Sequence, residues 1–274
     1  MNFNKKICVL GLGYIGLPTA LLLANKNYSV TGVDLKEDLV KNLNKKKTHI
    51  LEPELQEILC NVIDKKKFYA STHIKLSDIY IICVPTPLVS NENQNLPEIK
   101  FILDCVNQVS EIIKPGDTII LESTSPVGTT AKIKDLLNKK NIDTSEIMIG
   151  YCPERVLPGN IIREMKDNDR LVGGLDHKST LFISNFYRSF VDGEVHETSA
   201  EVAEMCKLIE NSFRDVNIAF ANEISLLCKE MNMNENELID LANKRPRVNI
   251  LQPGIGVGGH CIAIDPYFII ANHP

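Results

Sequence analysis

The stretch "KICVLGLGYIGLP", residues 6–18, decides the fold. An apolar run leads into three glycines, and an apolar helical pattern follows them. Glycines allow a tight turn and let backbone amides approach a pyrophosphate, which the N-terminus of the following helix favours electrostatically. The stretch therefore predicts a strand, a dinucleotide-binding turn and a helix that starts at Tyr14. The residues of this predicted cofactor turn are Gly11, Gly13, Tyr14, Ile15 and Gly16.

The next strand strengthens the dinucleotide prediction. "SVTGVD", residues 29–34, ends in Asp34, which lies 18 residues beyond Gly16. A carboxylate at this point accepts hydrogen bonds from both ribose hydroxyls of a dinucleotide, and it repels a 2′-phosphate. The sequence therefore predicts NAD, rather than NADP, as the cofactor. The alternative interpretation is a glycine-rich turn beside a surface aspartate.

Short β-branched runs and helical patterns alternate along the first part of the chain. Helices are predicted from Lys36, from about Pro97 and after Gly128. The later strands are "DIYIICVP", "DTIILEST", "EIMIGYCP" at 146–153, and the weaker pair "RLVGG" and "GEVHET" around a helix near 178–190. This alternation is typical of an α/β doubly wound parallel sheet. We therefore expect residues 1–198 to form a Rossmann-like NAD-binding domain.

Two further segments follow predicted core strands at their C-terminal ends, where such sheets bind ligands. They are "VPTP", residues 84–87, and "ESTSPVG", residues 122–128. Thr86 and Thr124 have hydroxyls that can contact the cofactor or a water molecule. Turn-forming Ser, Thr and Pro are equally typical of any strand exit, so each segment alone leaves both interpretations open.

A central helical domain is predicted over residues 199–274. Neither Gly nor Pro occurs between Ser199 and Met231, and "TSAE" offers a Thr or Ser cap with Glu201 placed for a capping box, which predicts one long helix. Helical periodicity predicts two faces. The apolar face comprises Met205, Ile209, Phe213, Val216, Phe220, Ile224 and Leu227. The polar stripe comprises Glu204, Lys207, Asn211, Arg214 and Asn222, interrupted by Ile218. Such a stripe is usually a solvated face, and that alternative stays open here.

A glycine-rich loop, "GIGVGGHCIAIDPYF" at residues 254–268, carries His260, Cys261 and Asp265. A lone cysteine is more often a core residue than a nucleophile. A reactive thiolate needs nearby positive charge. The available cations are Lys207, Arg214, Arg245 and Arg247.

Composition excludes several classes of protein. The 274 residues carry a net charge of −5 with both signs interspersed, which disfavours nucleic-acid binding. No apolar run is long enough to span a membrane and the N-terminus shows no signal peptide, so we expect a cytoplasmic protein. The eight cysteines lie mostly within apolar patterns and lack the paired spacing of a zinc site, so we predict that most of them are core thiols and that no metal is bound.

Six segments together resemble the UDP-glucose/GDP-mannose dehydrogenase family. They are "VLGLGYIGLPTA", "ESTSPVGTT", "YCPERVLPG", "AEMCKLIENSFRDVNIAFANEISLLC", "RPRVNILQPG" and "GVGGHCIAIDPYF". The resemblance implies that the protein uses two NAD to oxidise C6 of a UDP-sugar from alcohol to carboxylate at one site. It also implies a role in surface polysaccharide synthesis.

The resemblance also assigns roles to individual residues. It implies that Cys261 is the nucleophile of a thiohemiacetal and thioester pathway. Lys207 and Asn211 match the pair that handles the proton and the oxyanion at C6. Glu154 matches a carboxylate that positions water or substrate, and Thr124 and Asp265 match polar residues of the same site. The implied substrate contacts are Lys207, Asn211, Arg155, Val156, Arg214, Arg245, Arg247 and Gly258. Arg245 departs from the histidine expected there.

Family members continue for about another domain, roughly 150 residues, which grips the nucleotide of the substrate. The resemblance therefore implies that this chain lacks the C-terminal UDP-binding domain and is inactive alone, and that it forms a homodimer through the 199–231 helix. Two alternatives remain. One is a two-electron dehydrogenase of the hydroxyacid or 6-phosphogluconate type, which leaves Cys261 unexplained. The other is a non-enzymatic module for cofactor binding and dimerisation.

Overall fold

The computed structural model describes residues 5–91, 94–259 and 261–271. Its central feature is an eight-stranded sheet in the order β10-β9-β8-β7-β4-β1-β2-β3, beside a small two-stranded hairpin, β5-β6. The strands are β1 (Lys6–Leu10), β2 (Ser29–Val33), β3 (Phe68–Ser71), β4 (Ile79–Ile82), β5 (Leu88–Asn91), β6 (Gln94–Pro97), β7 (Thr118–Leu121), β8 (Met148–Tyr151), β9 (Arg170–Gly174) and β10 (Val195–Ser199). All pairings in the large sheet are parallel except β8 with β9. The predicted doubly wound parallel sheet is confirmed.

Ten helices lie within the described ranges. They are α1 (Gly16–Asn25), α2 (Glu37–Asn44), α3 (Leu55–Asp64), α4 (Lys100–Val109), α5 (Thr129–Lys139), α6 (Ile161–Asp167), α7 (His177–Arg188), α8 (Ala200–Glu230), α9 (Glu235–Ala242) and α10 (Asp265–Ile270). The predicted long helix is confirmed as α8, of 31 residues. The described helices include none with the length and apolar character needed to cross a bilayer.

Several helix starts differ from the prediction. Helix α1 begins at Gly16 rather than Tyr14, because Gly13 to Ile15 still belong to the turn. Helix α4 begins at Lys100 rather than Pro97, since Pro97 ends the β5-β6 hairpin opposite Leu88. The capping box is wrong: Ser199 caps α8 by accepting a hydrogen bond from the backbone N–H of Val202 (3.3 Å), so Val202 and not Glu201 stands at the third helical position.

The sheet is buried on both faces, as expected for parallel strands covered by helices. Strands β4 and β7 read IYII and TIIL, and every residue in them is buried. One core cluster joins the sheet to α1, α3 and α7, and the other joins it to α4, α5 and the first turn of α8. The carboxyl ends of β1, β2, β4, β7 and β8 therefore lie along one edge, which we call the cofactor edge.

The glycine turn is packed too tightly for side chains at two positions. Gly11 has φ +93°, and a Cβ there would lie 2.5 Å from the carbonyl oxygen of Cys83. A Cβ on Gly16 would lie 1.9 Å from the carbonyl oxygen of Gly11. Only glycine fits at either position, so the turn, the start of α1 and the exit of β4 are held in close contact.

Candidate active site

Asp34 closes the glycine turn from the end of β2. Its Oδ2 accepts a hydrogen bond from the backbone N–H of Leu12 (3.1 Å), and its Oδ1 accepts one from Lys36 (3.0 Å). A Cβ on Gly13 would meet no heavy atom within 4 Å, so the surface above the turn is open to a ligand. An open glycine turn at a helix N-terminus beside a fixed carboxylate fits the pyrophosphate and ribose of a dinucleotide.

Thr86 and Thr124, predicted from two separate strand exits, are brought together by the structure. The hydroxyl of Thr86 donates a hydrogen bond to the backbone carbonyl of Thr124 (2.7 Å). The Ser123 hydroxyl similarly donates to the carbonyl of Val84 (2.7 Å). These two bonds join the exits of β4 and β7 into one rigid segment at the cofactor edge, next to the glycine turn.

The polar stripe of α8 faces the protein over much of its length. Glu204 and Asn211 are buried, Lys207 is half-buried and Arg214 is exposed. Asn211 donates a hydrogen bond to Oδ2 of Asp265 (2.5 Å), which joins α8 to α10. Asn222, further along the stripe, accepts a hydrogen bond from the backbone N–H of Gly254 (2.8 Å). The alternative of a fully solvated stripe is therefore wrong.

Cys261 lies on an exposed turn that leads into α10. Its carbonyl accepts hydrogen bonds from the backbone N–H groups of Ile264 (3.0 Å) and Asp265 (2.9 Å). Partial burial and the Asp265 carboxylate raise the pKa of the Cys261 thiol above its ordinary value, whereas Lys207 and Arg214 lower it. Two of the predicted cations therefore act on Cys261, but burial and Asp265 outweigh them and the pKa of the thiol is raised.

Asp265 shares this environment. Burial raises its pKa, and the hydrogen bond from Asn211 together with Lys207 lowers it. Tyr151 lies close by at the end of β8: it is buried, and burial together with the carboxylates of Glu204 and Asp265 raises its pKa well above the ordinary value. Four predicted residues thus form one cluster built from α8, α10 and the turn between α9 and α10: Cys261, Lys207, Asn211 and Asp265.

Glu154 is held by partners that the sequence did not indicate. Its Oε2 pairs with the buried guanidinium of Arg170, and its Oε1 accepts a hydrogen bond from the backbone N–H of Arg155 (2.8 Å). The Arg155 side chain in turn pairs with Oε1 of Glu210 on α8 (2.8 Å). Val156 packs against a core cluster. Arg170 was not predicted, because in the sequence it is a charged residue at the start of a weak strand pattern, where an exposed side chain is expected.

A second residue that sequence reasoning missed is Glu122, at the end of β7. It is buried, and its carboxylate accepts hydrogen bonds from the hydroxyl of Thr19 (3.2 Å), the thiol of Cys83 (3.1 Å) and the hydroxyl of Tyr187. Burial raises the pKa of Glu122. A glutamate directly after the apolar run of "DTIILEST" was the available signal for a buried carboxylate under the cofactor edge.

The remaining predicted positions precede Cys261 in the chain. Arg245, Arg247 and Gly258 are exposed on the irregular segment between α9 and Cys261. His260 lies outside the described residues. Within the described ranges, no group of three or more His, Cys, Asp and Glu side chains is arranged to hold a metal ion.

A doubly wound sheet, a glycine turn closed by the Asp34 carboxylate and a long helix packed on the same sheet are the features of a dinucleotide-dependent dehydrogenase. Residues 5–191 match the NAD binding domain of the UDP-glucose/GDP-mannose dehydrogenase family, and residues 201–274 match its central domain. The chain belongs to this family, an oxidoreductase family that uses NAD.

Named relatives agree with that assignment. The chain is 47% identical to a UDP-N-acetyl-D-mannosamine dehydrogenase of Campylobacter jejuni, over 100% of this chain and 69% of the relative. It is 45% identical to an NDP-N-acetyl-D-galactosaminuronic acid dehydrogenase of Ralstonia nicotianae, over 98% and 65%. The solved UDP-D-ManNAc dehydrogenase of Pyrococcus horikoshii superposes with a TM-score of 0.93 at 42% identity, over 98% of this chain and 64% of that one. The chain thus spans about two-thirds of the length of these relatives.

Proposed function

We propose that this chain is the NAD-binding and central part of a dehydrogenase that oxidises UDP-N-acetyl-D-mannosamine to UDP-N-acetyl-D-mannosaminuronate for surface polysaccharide synthesis. Residues 1–198 form the NAD-binding domain and residues 199–274 the central domain in this proposal. Its support is the similarity to relatives of that name together with one observation, the Asn211–Asp265 hydrogen bond of 2.5 Å. That bond joins the helix that carries Lys207 to the segment that follows Cys261.

Cys261 is the proposed nucleophile. In the first oxidation, C6 of the sugar loses a hydride and its hydroxyl loses a proton, which gives an aldehyde. The Cys261 sulfur then bonds to the aldehyde carbon and the oxygen takes up a proton, giving a thiohemiacetal. Loss of a second hydride and of that proton gives a thioester. Water then adds at C6, the C–S bond breaks, and the carboxylate and the thiol are released.

The cofactor supplies the hydride acceptor, and each sugar consumes two NAD because two hydrides leave C6. The chain's own residues provide the binding surface. Gly11, Gly13 and Gly16, with Tyr14 and Ile15 between them, form the proposed pyrophosphate turn, and Asp34 is the proposed ribose ligand. Thr86 and Thr124 line the proposed nicotinamide side of the same edge.

The donors at the proposed oxyanion site come from α8. An asparagine amide has two N–H donors. Asn211 donates one to Asp265, and the other is proposed to stabilise the oxygen on C6. The ammonium of Lys207 stabilises the same charge and exchanges the proton. Glu154 is proposed to position water, and the ion pair with Arg170 holds its carboxylate in place. The proposed sugar-nucleotide contacts are Arg155, Val156, Arg214, Arg245, Arg247 and Gly258.

We also propose that the protein is a cytoplasmic homodimer joined through α8. Five apolar side chains on one face of this helix are each between 51% and 68% exposed. They are Ile209, Phe213, Val216, Phe220 and Leu227. A contiguous apolar surface of this kind on a charged protein is typical of a protein interface, and one face meeting its own copy satisfies a two-fold dimer.

A second candidate substrate differs only in sugar stereochemistry. The similarity to the NDP-N-acetyl-D-galactosaminuronic acid dehydrogenase of Ralstonia nicotianae is nearly as high as that to the mannosamine dehydrogenases. The same residues would oxidise C6 of either N-acetylhexosamine, because the two sugars differ in configuration at C2 and C4 and share the primary alcohol at C6. UDP-N-acetylglucosamine, UDP-glucose and GDP-mannose complete the set of sugars to compare.

The test supplies the third of the relatives' length that this chain does not span. The chain is assayed alone and as a chimera that continues with the C-terminal third of the Campylobacter jejuni relative, each with NAD and the five nucleotide sugars. We expect the chimera to release two NADH per UDP-N-acetyl-D-mannosamine and the chain alone to turn over far more slowly. One NADH per sugar would contradict the thioester pathway, and no NADH with any sugar would contradict the proposed activity.

A further inference from the structure

Glu204 is a buried carboxylate for which the chemistry proposed above has no use. It projects from α8 onto the start of α5, and its side chain is wholly buried. Oε2 accepts a hydrogen bond from the backbone N–H of Gly128 (2.6 Å), and Oε1 accepts from the backbone N–H (2.8 Å) and the hydroxyl (2.6 Å) of Thr130. Gly128 is the N-cap of α5 and has no side chain. Glu204 therefore supplies from another helix the acceptor that an N-cap side chain normally provides.

Glu204 is hydrogen-bonded to the end of the segment that carries Thr124. Residues 122–128 leave the end of β7, and the Thr86–Thr124 and Ser123–Val84 hydrogen bonds tie their first part to the exit of β4. The last residue, Gly128, is tied to Glu204. One short segment is thus fixed to the cofactor edge at its start and to α8 at its end.

Glu204 also shares a helix face with the proposed catalytic residues. At 100° per residue, Asn211 lies about 20° and Lys207 about 60° around the helix axis from Glu204. Asn211 is anchored to Asp265 in the same way that Glu204 is anchored to α5. Because a helix turns as a rigid body, the two anchors fix the direction in which Lys207, between them, projects.

We infer that Glu204 is a positioning residue that sets the rotation of α8 relative to the cofactor edge, so that Lys207 and Asn211 face Cys261. The inference rests on the proposed function, because it assigns Glu204 a task in the same site. It differs from a purely structural role in one respect. Loss of the contact changes the environment of the Cys261 thiol, on a different segment, while the cofactor turn of β1 and α1 is unaffected.

The direction of that change follows from where the charges lie. Lys207 and Arg214, which lower the pKa of Cys261, both belong to α8, whereas Asp265, which raises it, follows Cys261 on the same short segment. When α8 loses its anchor, Lys207 and Arg214 move relative to the thiol, whereas Asp265 stays beside Cys261 because its backbone N–H donates a hydrogen bond to the Cys261 carbonyl (2.9 Å). The pKa of Cys261 therefore rises further, and its thiolate fraction at neutral pH falls.

The test uses the 274-residue chain and compares Glu204→Gln with Glu201→Gln. Glu201 is the matched control because it is exposed one turn earlier on the same helix and loses the same charge. The rate of Cys261 alkylation by iodoacetamide is followed against pH by peptide mass spectrometry, and NADH affinity by fluorescence. For Glu204→Gln we expect alkylation near pH 7.5 to slow by about threefold, half a pKa unit, with NADH affinity unchanged. Glu201→Gln changes neither.

An unchanged alkylation profile in a folded Glu204→Gln chain overturns the inference, even if its melting temperature falls. Alkylation of Cys8, which is buried in β1, reports whether the variant has unfolded. If the Glu204→Gln chain has unfolded, Thr130→Val is tested in its place, because it removes only the hydrogen bond from the Thr130 hydroxyl. Thr130→Ser keeps that hydroxyl and should show the profile of the unaltered chain. Neither readout needs a sugar substrate, so failure of the proposed function leaves this test intact. Where the chimera is active, Glu204→Gln should lower kcat by about 100-fold without raising the KM for NAD.

Discussion

At the scale of single residues, the pKa of the Cys261 thiol, the proposed nucleophile, is raised above its ordinary value. Cys261 lies at the surface and is only partly buried. Lys207 and Arg214, two of the cations predicted from the sequence, lower its pKa, but partial burial and the Asp265 carboxylate raise it by more. A thiol with a raised pKa reacts slowly with oxidants and with electrophiles other than a bound substrate. Activation of Cys261 therefore depends on the balance between Asp265 on one side and Lys207 with Arg214 on the other.

Replacing Asp265 tests this balance. Asp265→Asn removes the negative charge that raises the pKa of Cys261 and keeps an oxygen that can accept the hydrogen bond from Asn211. The pKa of Cys261 should fall, so that alkylation near pH 7.5 becomes about three- to tenfold faster, and the difference should vanish at high pH where both thiols are ionised. The measurement is the pH profile of Cys261 alkylation. Asp240→Asn, an exposed aspartate on α9, is the matched control. Slower alkylation in Asp265→Asn would contradict this balance.

At the scale of elements, α8 buries part of its polar stripe and exposes its apolar face, whereas a surface helix usually buries its apolar face. Glu204 of the polar stripe is hydrogen-bonded to the start of α5 and Asn211 to the start of α10, whereas the apolar face is exposed. Periodicity predicted both faces correctly, because it depends only on the angle between successive residues. It did not predict which face is buried, since that depends on the partners from α5 and α10 that a single helix does not specify.

A charge placed on the apolar face tests the proposed dimer. Phe213→Glu puts a carboxylate in the middle of the exposed stripe, where pairing with a second copy would bury it without a partner, so the variant should be monomeric. Leu226→Glu, an exposed leucine on α8 about 100° away from the stripe, should leave the dimer intact. Size-exclusion chromatography with light scattering gives the mass of each. A monomeric unaltered chain, or a dimeric Phe213→Glu chain, would refute the interface.

At the scale of the whole molecule, the sequence predicted the order of strands and helices better than the side-chain contacts between them. The glycine turn, Asp34 and the alternation of strands and helices predicted the doubly wound sheet, because these features depend on local backbone geometry and apolar patterning. The β5-β6 hairpin and strand β3 were missed, and so was α3, because their patterns are short. The predicted residues Cys261, Lys207, Asn211 and Asp265 do meet. The contacts of Glu204, Glu122 and Arg170 were not predicted, since each joins more than one element; only Glu122, directly after an apolar run, carried a signal in the sequence.

The central claim is that one site performs two oxidations through a bond to Cys261. The most direct measurement is the number of NADH released per UDP-N-acetyl-D-mannosamine by the chimera carrying Cys261→Ala, beside the unaltered chimera. Without the sulfur no thioester can form, so the account predicts two NADH per sugar from the unaltered protein and at most one, with aldehyde accumulating, from the variant. Two NADH per sugar from Cys261→Ala at an undiminished rate would contradict it.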